Sequence, residues 1–408
     1  GVGAAASEPG TLSIIRQVFD NRHERARALS VWAAVSGVAL AFGPIIGGIL
    51  VSAGGWQQVF TFSLGLGVLV LVAGFLVLPE SSDRHGRKLD FVGLVTGGLA
   101  LAAATFGIIL GESHNYTAWW VILLLAASLV LGLIFVLAER HHKDPVLPIG
   151  LFKNPAFTGA NIVAFVTNFG VFAVFFFTAL YLQIVAGLSG YKIALDFIAM
   201  AVVLVLAALT TGRWTARRGP LIPTVLGCLL AGIGMILVDL VLAPVTVEWQ
   251  LVLALVLVGL GFGMTLTTMT TTVLNITPSA RSGMAASTVN TFREMGGIFS
   301  VAILGAIVNA QLTGHLAARL QALGLPVSFQ SLAIYAIKHG GNLPANAHIS
   351  AGAILNHPAL VTQTTNAAYA AFGDGLDIAL YTAGALLIVT AGISWLSMRR
   401  YKPATSAI

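Results

Sequence analysis

Charge is what this sequence of 408 residues has least of: Lys, Arg, Asp and Glu make up 9% of it, against 57% hydrophobic residues. A soluble globular chain carries about 25% charged residues, so this scarcity excludes a water-soluble domain. Long alternations of polar and apolar residues, which barrel strands need, are also missing, while apolar runs of helix-spanning length recur from end to end. The composition therefore predicts an all-α polytopic membrane protein. Cysteine occurs once, at Cys228 within an apolar run, so no internal disulfide holds the fold. There is no zinc-binding HExxH and no convincing pairing of a nucleophile with a base, which argues against a membrane enzyme. No GxxxxGK[ST] loop for ATP phosphates occurs either.

What is there is an ordered series of apolar segments. Windows of about 20 residues mark eleven candidate spans, roughly 1 to 15, 29 to 53, 57 to 78, 90 to 110, 118 to 138, 157 to 185, 190 to 211, 221 to 243, 249 to 274, 284 to 308 and 376 to 397. Eighteen of the 21 Lys and Arg then fall on one side, in the alternate connections that hold Arg22, Arg84, Arg140, Arg217, Arg293 and Arg399. The positive-inside rule makes that side cytoplasmic, with the C-terminus on it, in a multi-pass protein of the cell membrane. It also explains the net charge of +6 without a nucleic-acid partner. Trp56, Trp119, Trp120, Trp249 and Trp395 lie at or near span ends and read as interfacial anchors.

Two segments depart from the series. The first span reaches Arg16 after only about fifteen residues, short for a bilayer, and Gly1 is no start methionine, so upstream helices are expected to be missing. Residues 309–375 form one long extracytoplasmic segment, in which Asn309 to Leu323 can continue as an amphipathic helix and HGGNLP reads as a turn. Its histidines, His315, His339, His348 and His357, are irregularly spaced and fit a solvated loop better than a metal site.

The run from Ser36 to Leu50, SGVALAFGPIIGGIL, is apolar enough for a bilayer yet broken by Gly37, Gly43, Pro44, Gly47 and Gly48. Pro44 removes a backbone donor and bends a helix, and glycines one turn apart admit a neighbouring backbone, so the run is built for tight packing at a kink. It resembles the antiporter motif of the major facilitator superfamily, gxxxGPxxGG, with Ala39 where the first glycine would be. Further matches to the 14-span drug:proton antiporters of that superfamily lie in order: GVGAAASEPGTLSII at the start, ERARAL from Glu24, Pro79-Glu80-Ser81, PVLPIGLFKNPAF, Tyr181-Leu182-Gln183, and NTFREMGG from Asn290. The pattern is not complete. GRWTARRGP keeps Gly212, Arg217 and Gly219 but has Ala216 where an Asp is usual, and WQQVFTFSLG lacks the Asn and Pro that often follow this tryptophan.

The resemblance implies a major facilitator fold with about eleven helices present of an expected fourteen. Residues 1–78 would be the second half of the N-terminal six-helix bundle, 79–156 a central extra helix pair with its links, and 157–408 the C-terminal bundle. It implies proton-coupled efflux of drugs or other amphipathic small molecules by alternating access, with no cofactor, and a monomer in the bilayer. The antiporter motif would be the hinge. Arg217, Gly219, Arg293 and Glu294 would form a cytoplasmic gate, although Arg293 and Glu294 also read as a local ion pair. Export of an endogenous metabolite or self-made antibiotic, and a truncated remnant that transports nothing, are the alternatives.

The spans that would line the cavity can be read for their own chemistry. In 157 to 185, Asn161, Phe165, Asn168, Phe172 and Phe176 fall within an arc of about 80°. Such a face can hold a flat apolar or cationic compound by stacking and cation–π contact, or it can pack the bundle. In 249 to 274, Gly261, Thr265, Thr268 and Thr272 share a face, continued by Asn275; their hydroxyls serve either a cavity or their own helix carbonyls. An ionised acid at a helix centre costs about 2.5 to 3.5 kcal/mol, so intramembrane carboxylates are functional candidates. Glu8, beside Pro9, and Asp196 are the candidates for proton coupling, whereas Asp239 lies near a span end where it can reach water.

Overall fold

The computed structural model describes residues 53–78, 90–114, 116–142, 149–242, 248–277, 282–322 and 358–399, with scattered positions between 11 and 51 and at 145 and 147. Among the described residues the regular elements are all helical, and nine helices are long and apolar enough to cross a membrane. After the scattered helical positions come α1 (Gln57–Val77), α2 (Phe91–His114) and α3 (Trp119–His141). A short 3-10 turn leads into α4 (Pro155–Phe172), which runs through a π-helical turn (Ala173–Thr178) into α5 (Ala179–Ile184). The remaining helices are α6 (Gly190–Arg218), α7 (Leu221–Val241), α8 (Glu248–Ile276), α9 (Ser282–Ala322) and α10 (Pro358–Met398).

Local chemistry sets several of the boundaries. Asn154 caps α4 by accepting from the Ala156 amide at 3.0 Å, and Pro155 fills the first turn, where its missing N–H costs nothing. The Ser189 hydroxyl accepts from the Lys192 amide to start α6. That helix stops at Gly219, whose φ of +82° suits a residue without a side chain, and Arg217 and Arg218 occupy the negative end of its dipole.

Residues from α4 onward form one packed bundle. α4 lies against α8, α9 and α10; α8 packs on α6 and α7; α7 packs on α10, closing the arrangement. Its largest core runs from Phe169, Val174 and Phe177 of the α4 stretch through Met200, Met235, Val258 and Phe262 to Leu304, Leu380 and Leu387. Small residues bring the helices close. At the α7–α10 crossing, a Cβ on Gly232 would lie 2.7 Å from the Gly384 carbonyl oxygen, and on α9 a Cβ at Gly296 would strike the Phe165 carbonyl. The pair α2–α3 packs on itself and leans on α9 through α2, while α1 carries no buried residue.

Helix α9 continues to Ala322 as the amphipathic stretch from Asn309 predicts, whereas α10 starts well before its expected span. Spans of 284 to 308 and 376 to 397 are predicted, yet both helices have 41 residues, roughly 60 Å of helix against about 30 Å of hydrocarbon. A hydropathy window reports how much chain is apolar, not how far the helix continues. Here Leu316 and Leu320 of α9 pack on Ala367, Ala368 and Ala371 of α10, so the two helices extend each other beyond the apolar zone. Both ends of the expected 309–375 loop are therefore helical. The expected 1 to 15 span lies outside the described residues except at positions 11, 14 and 15.

Candidate functional site

The amide and aromatic face of α4 is only partly open. Asn161 is fully buried; its Nδ2 donates to the Phe157 carbonyl one turn back at 2.9 Å, and its Oδ1 has no partner. Asn168 crosses to another helix, donating from Nδ2 to the Arg293 carbonyl of α9 at 2.7 Å. Phe165 stacks on Phe169 and meets Phe299 of α9, while the Ser300 hydroxyl donates to the Phe169 carbonyl at 2.7 Å. Nearer the π turn the face opens: Phe172 and Phe176 are 41% and 47% exposed. A wide turn of this kind rotates the register of the residues beyond it, and it places an exposed aromatic edge beside a buried polar one. Phe172 also rests on Gly297 of α9, where any Cβ would meet its ring at 2.7 Å.

The threonine face of α8 is closed. Thr265, Thr268 and Thr272 are fully buried, and their hydroxyls donate to carbonyls of their own helix: Thr265 to Phe262 at 3.0 Å, Thr268 to Met264 at 3.0 Å and Thr272 to Thr268 at 2.7 Å. The face abuts α7, since a Cβ on Gly227 would lie 2.9 Å from Thr265 Cγ2. The structure thus does not bring these threonines to the exposed rings of α4.

At the end of the bundle where α6 and α8 begin, Asp196 is 4% exposed, with Lys192 and Glu248 within electrostatic reach. Lys192 and Glu248 form an ion pair of 3.6 Å. The same end holds Asp239 of α7 facing Asp377 of α10, and Asp374 held by His315 and Arg319 of α9. Asp377 and Asp374 escape sequence reading because the predicted last span starts at 376, which leaves one of them in a loop and the other at a boundary. Their spacing with Tyr381, three and then four residues apart on one helix face, is the signal that was present.

Of the glycine and proline motif, Gly43, Gly47 and Gly48 are described, while Gly37 and Pro44 lie outside the described residues, as does Glu8. Gly43 and Gly47 have no atom within 4 Å of an added Cβ. Gly48 meets the C-terminal bundle: its Cβ would lie 3.3 Å from the Gly190 carbonyl carbon and oxygen, at the first residue of α6. At the opposite end of α6, Arg217 is exposed and Gly219 half-buried. Arg293 Nη2 pairs with its neighbour Glu294 Oε1 at 3.3 Å, and the Arg293 carbonyl is the one that holds Asn168. The structure does not bring Arg217 and the Arg293–Glu294 pair together as one site among the contacts it shows.

This geometry has counterparts among known proteins. A family model described as Major Facilitator Superfamily matches residues 1–301. The Methylenomycin A resistance protein of Bacillus subtilis is 27% identical over 82% of this chain and 72% of its own length. In Mycobacterium tuberculosis, Multidrug resistance protein Stp is 28% identical over 97% of this chain and 73% of its own. Drug efflux pump JefA of the same species is 30% identical over 97% and 78%. Among solved structures, a bacterial homolog of the human lysosomal transporter Spinster, inward-facing and unoccupied, aligns with a TM-score of 0.54 over 99% of this chain and 78% of that one. At 15% identity that likeness concerns the fold alone.

Proposed function

Because the chain belongs to the Major Facilitator Superfamily, a family of membrane transporters, we propose that it is a secondary transporter of the plasma membrane that exports drugs or other amphipathic small molecules in exchange for protons. The observation that carries this reading is the agreement of relatives that align over most of the chain and are named for antibiotic resistance or drug efflux. The end bearing Arg217, Arg293 and Arg399 faces the cytoplasm on this reading, because its cations follow the positive-inside pattern.

In the proposed cycle a flat apolar or cationic substrate enters against Phe172 and Phe176, with Phe165 behind them, and is held by stacking and cation–π attraction. Asn168 ties the aromatic helix to the Arg293 carbonyl of α9, while Asn161 and the hydroxyls of Thr265, Thr268 and Thr272 bond within their own helices. Glu8 and Asp196 exchange the coupled proton. The two bundles rock about the helix carrying Gly37, Gly43, Pro44, Gly47 and Gly48, whose last glycine lies on Gly190. Arg217 and Gly219, with Arg293 and Glu294, close the cytoplasmic side.

Vesicles reconstituted with the protein and given an inward-directed or outward-directed pH gradient test this reading. A fluorescent lipophilic cation is expected to move against the proton flow, and a protonophore is expected to abolish the movement. The reading fails if no member of a panel of amphipathic cations and neutral drugs moves faster than in empty vesicles. Glu8→Gln with unchanged pH dependence removes Glu8 from the cycle without removing transport.

A further inference from the structure

We propose that Asp239 of α7 and Asp377 of α10 form one proton-binding site, shared between the two carboxyls and open to the aqueous phase through Asp374. Asp239 is 7% exposed, and its carboxyl lies within hydrogen-bonding reach of that of Asp377 and of the Tyr381 hydroxyl. A carboxylate only accepts hydrogen bonds, so two carboxyls bond to one another only with a proton between them. The remaining oxygen, Asp239 Oδ1, is buried and makes no hydrogen bond.

Among the described residues, the surrounding charges leave the proton as the neutralising partner. His315 Nδ1 and Arg319 Nη2 both lie 2.8 Å from Asp374 Oδ2, one turn farther out on α10. Lys192 of α6 is taken by Glu248 of α8 at 3.6 Å. α4 has no ionisable residue in its sequence. Among the described residues, the ionisable groups facing the pair are thus Tyr381 and Asp374 on α10 and Tyr181 on α5.

Tyr181 borders the pair. It is 5% exposed and lies in the field of both Asp377 and Asp239. Its ring is fixed by stacking on Phe372 at 6.4 Å between centroids and by contact with Gly373. A phenol here can donate to the pair, and donates more strongly once the pair has lost its proton and is charged. α5 continues the helix that bears Phe172 and Phe176, so loss or gain of this proton acts on the helix that carries the exposed aromatic edge.

The path outward is set by helix geometry. Asp374, Asp377 and Tyr381 lie within an arc of about 60° at 100° per residue, and Asp374 is about a third exposed. A proton from water is passed by Asp374 to Asp377 and bridges to Asp239, with no other bond made or broken. That this aqueous phase is extracytoplasmic rests on the transport reading above; the existence of the site does not.

Infrared difference spectra of the full protein, labelled with isotopic aspartate and recorded between high and low pH, test the site directly. A protonated carboxylic acid stretch is expected in the unmodified chain, lost in Asp239→Asn and in Asp377→Asn, and shifted in Tyr381→Phe, which keeps both acids and removes one donor. The proposal is overturned if the stretch persists in both Asn variants, if Tyr381→Phe leaves it unshifted, or if sodium or potassium displaces it at fixed pH. In reconstituted vesicles, Asp239→Asn is expected to lower gradient-driven transport about tenfold while downhill substrate exchange continues. If the unmodified chain shows no gradient-driven transport, the antiport reading fails, and the infrared stretch still decides the proton site.

Discussion

Asn168 and Phe176 stand on the same helical stripe and have opposite fates. The amide is tied to the Arg293 carbonyl, 125 residues away in sequence, whereas the ring is 47% exposed. A stripe of residue types is legible from spacing alone, but which member of it stays free depends on what the neighbouring helix presents. Replacing Phe176 by Ala is expected to raise KM for a lipophilic cation about fivefold to tenfold, the equivalent of about 1 to 1.4 kcal/mol of aromatic contact. Its thermal midpoint in detergent should hardly move, since the ring supports little packing. Thr268→Val gives the reverse test. The hydroxyl donates to the Met264 and Thr265 carbonyls of its own helix and is fully buried, so transport rates should stay within about twofold of the unmodified protein. A large loss of transport in Thr268→Val would show that this hydroxyl turns toward substrate during the cycle.

Among the elements, α10 was the least legible, while the amphipathic continuation of α9 from Asn309 could be read in advance. Their apolar stretches are visible in the sequence, but their continuation to 41 residues each rests on mutual packing of Leu316 and Leu320 with Ala367, Ala368 and Ala371. A single carboxylate, Asp374, joins the extensions through His315 and Arg319. These side chains are partly exposed, so the network contributes on the order of 1 kcal/mol. Asp374→Asn is therefore expected to speed amide hydrogen exchange about fivefold in residues 312–320 and 367–374, with the deeper turns of both helices unchanged. Equal acceleration along the whole of α9 and α10 would mean that the extensions do not open separately. The π turn between α4 and α5 belongs to the same class of feature: its residues, AVFFFT, read as ordinary helix, and only the packing around Val174 and Phe177 shows the wide turn.

For the whole molecule, the contact of Gly48 with Gly190 is where the antiporter motif meets the C-terminal bundle. An added Cβ on Gly190 would lie 3.7 Å from the Gly48 Cα, which places the pair within reach of a disulfide. With the buried Cys228 replaced by Ala, Gly48→Cys combined with Gly190→Cys is expected to form an intramolecular disulfide under mild oxidation. Gradient-driven transport should stop with the bridge and return on reduction. A bridge that forms without affecting transport would show that the halves do not separate at this point in the cycle.

Composition and periodicity determined that this is a helical membrane protein, which ends carry the cations, and, through GVALAFGPIIGG and the motifs around it, the superfamily. Those properties are local or cumulative along the chain, so no contact is needed to read them. The tertiary structure alone decided that Asn168 serves α9, that the α8 threonines turn to their own backbone, and that Asp239 faces Asp377. Each depends on the rotation and depth of one helix against another, which are set by close approaches such as Gly232 on Gly384, 152 residues apart by their numbering. A window that sees one helix at a time contains only half of such a contact, and the free energy of a buried polar group lies in the other half.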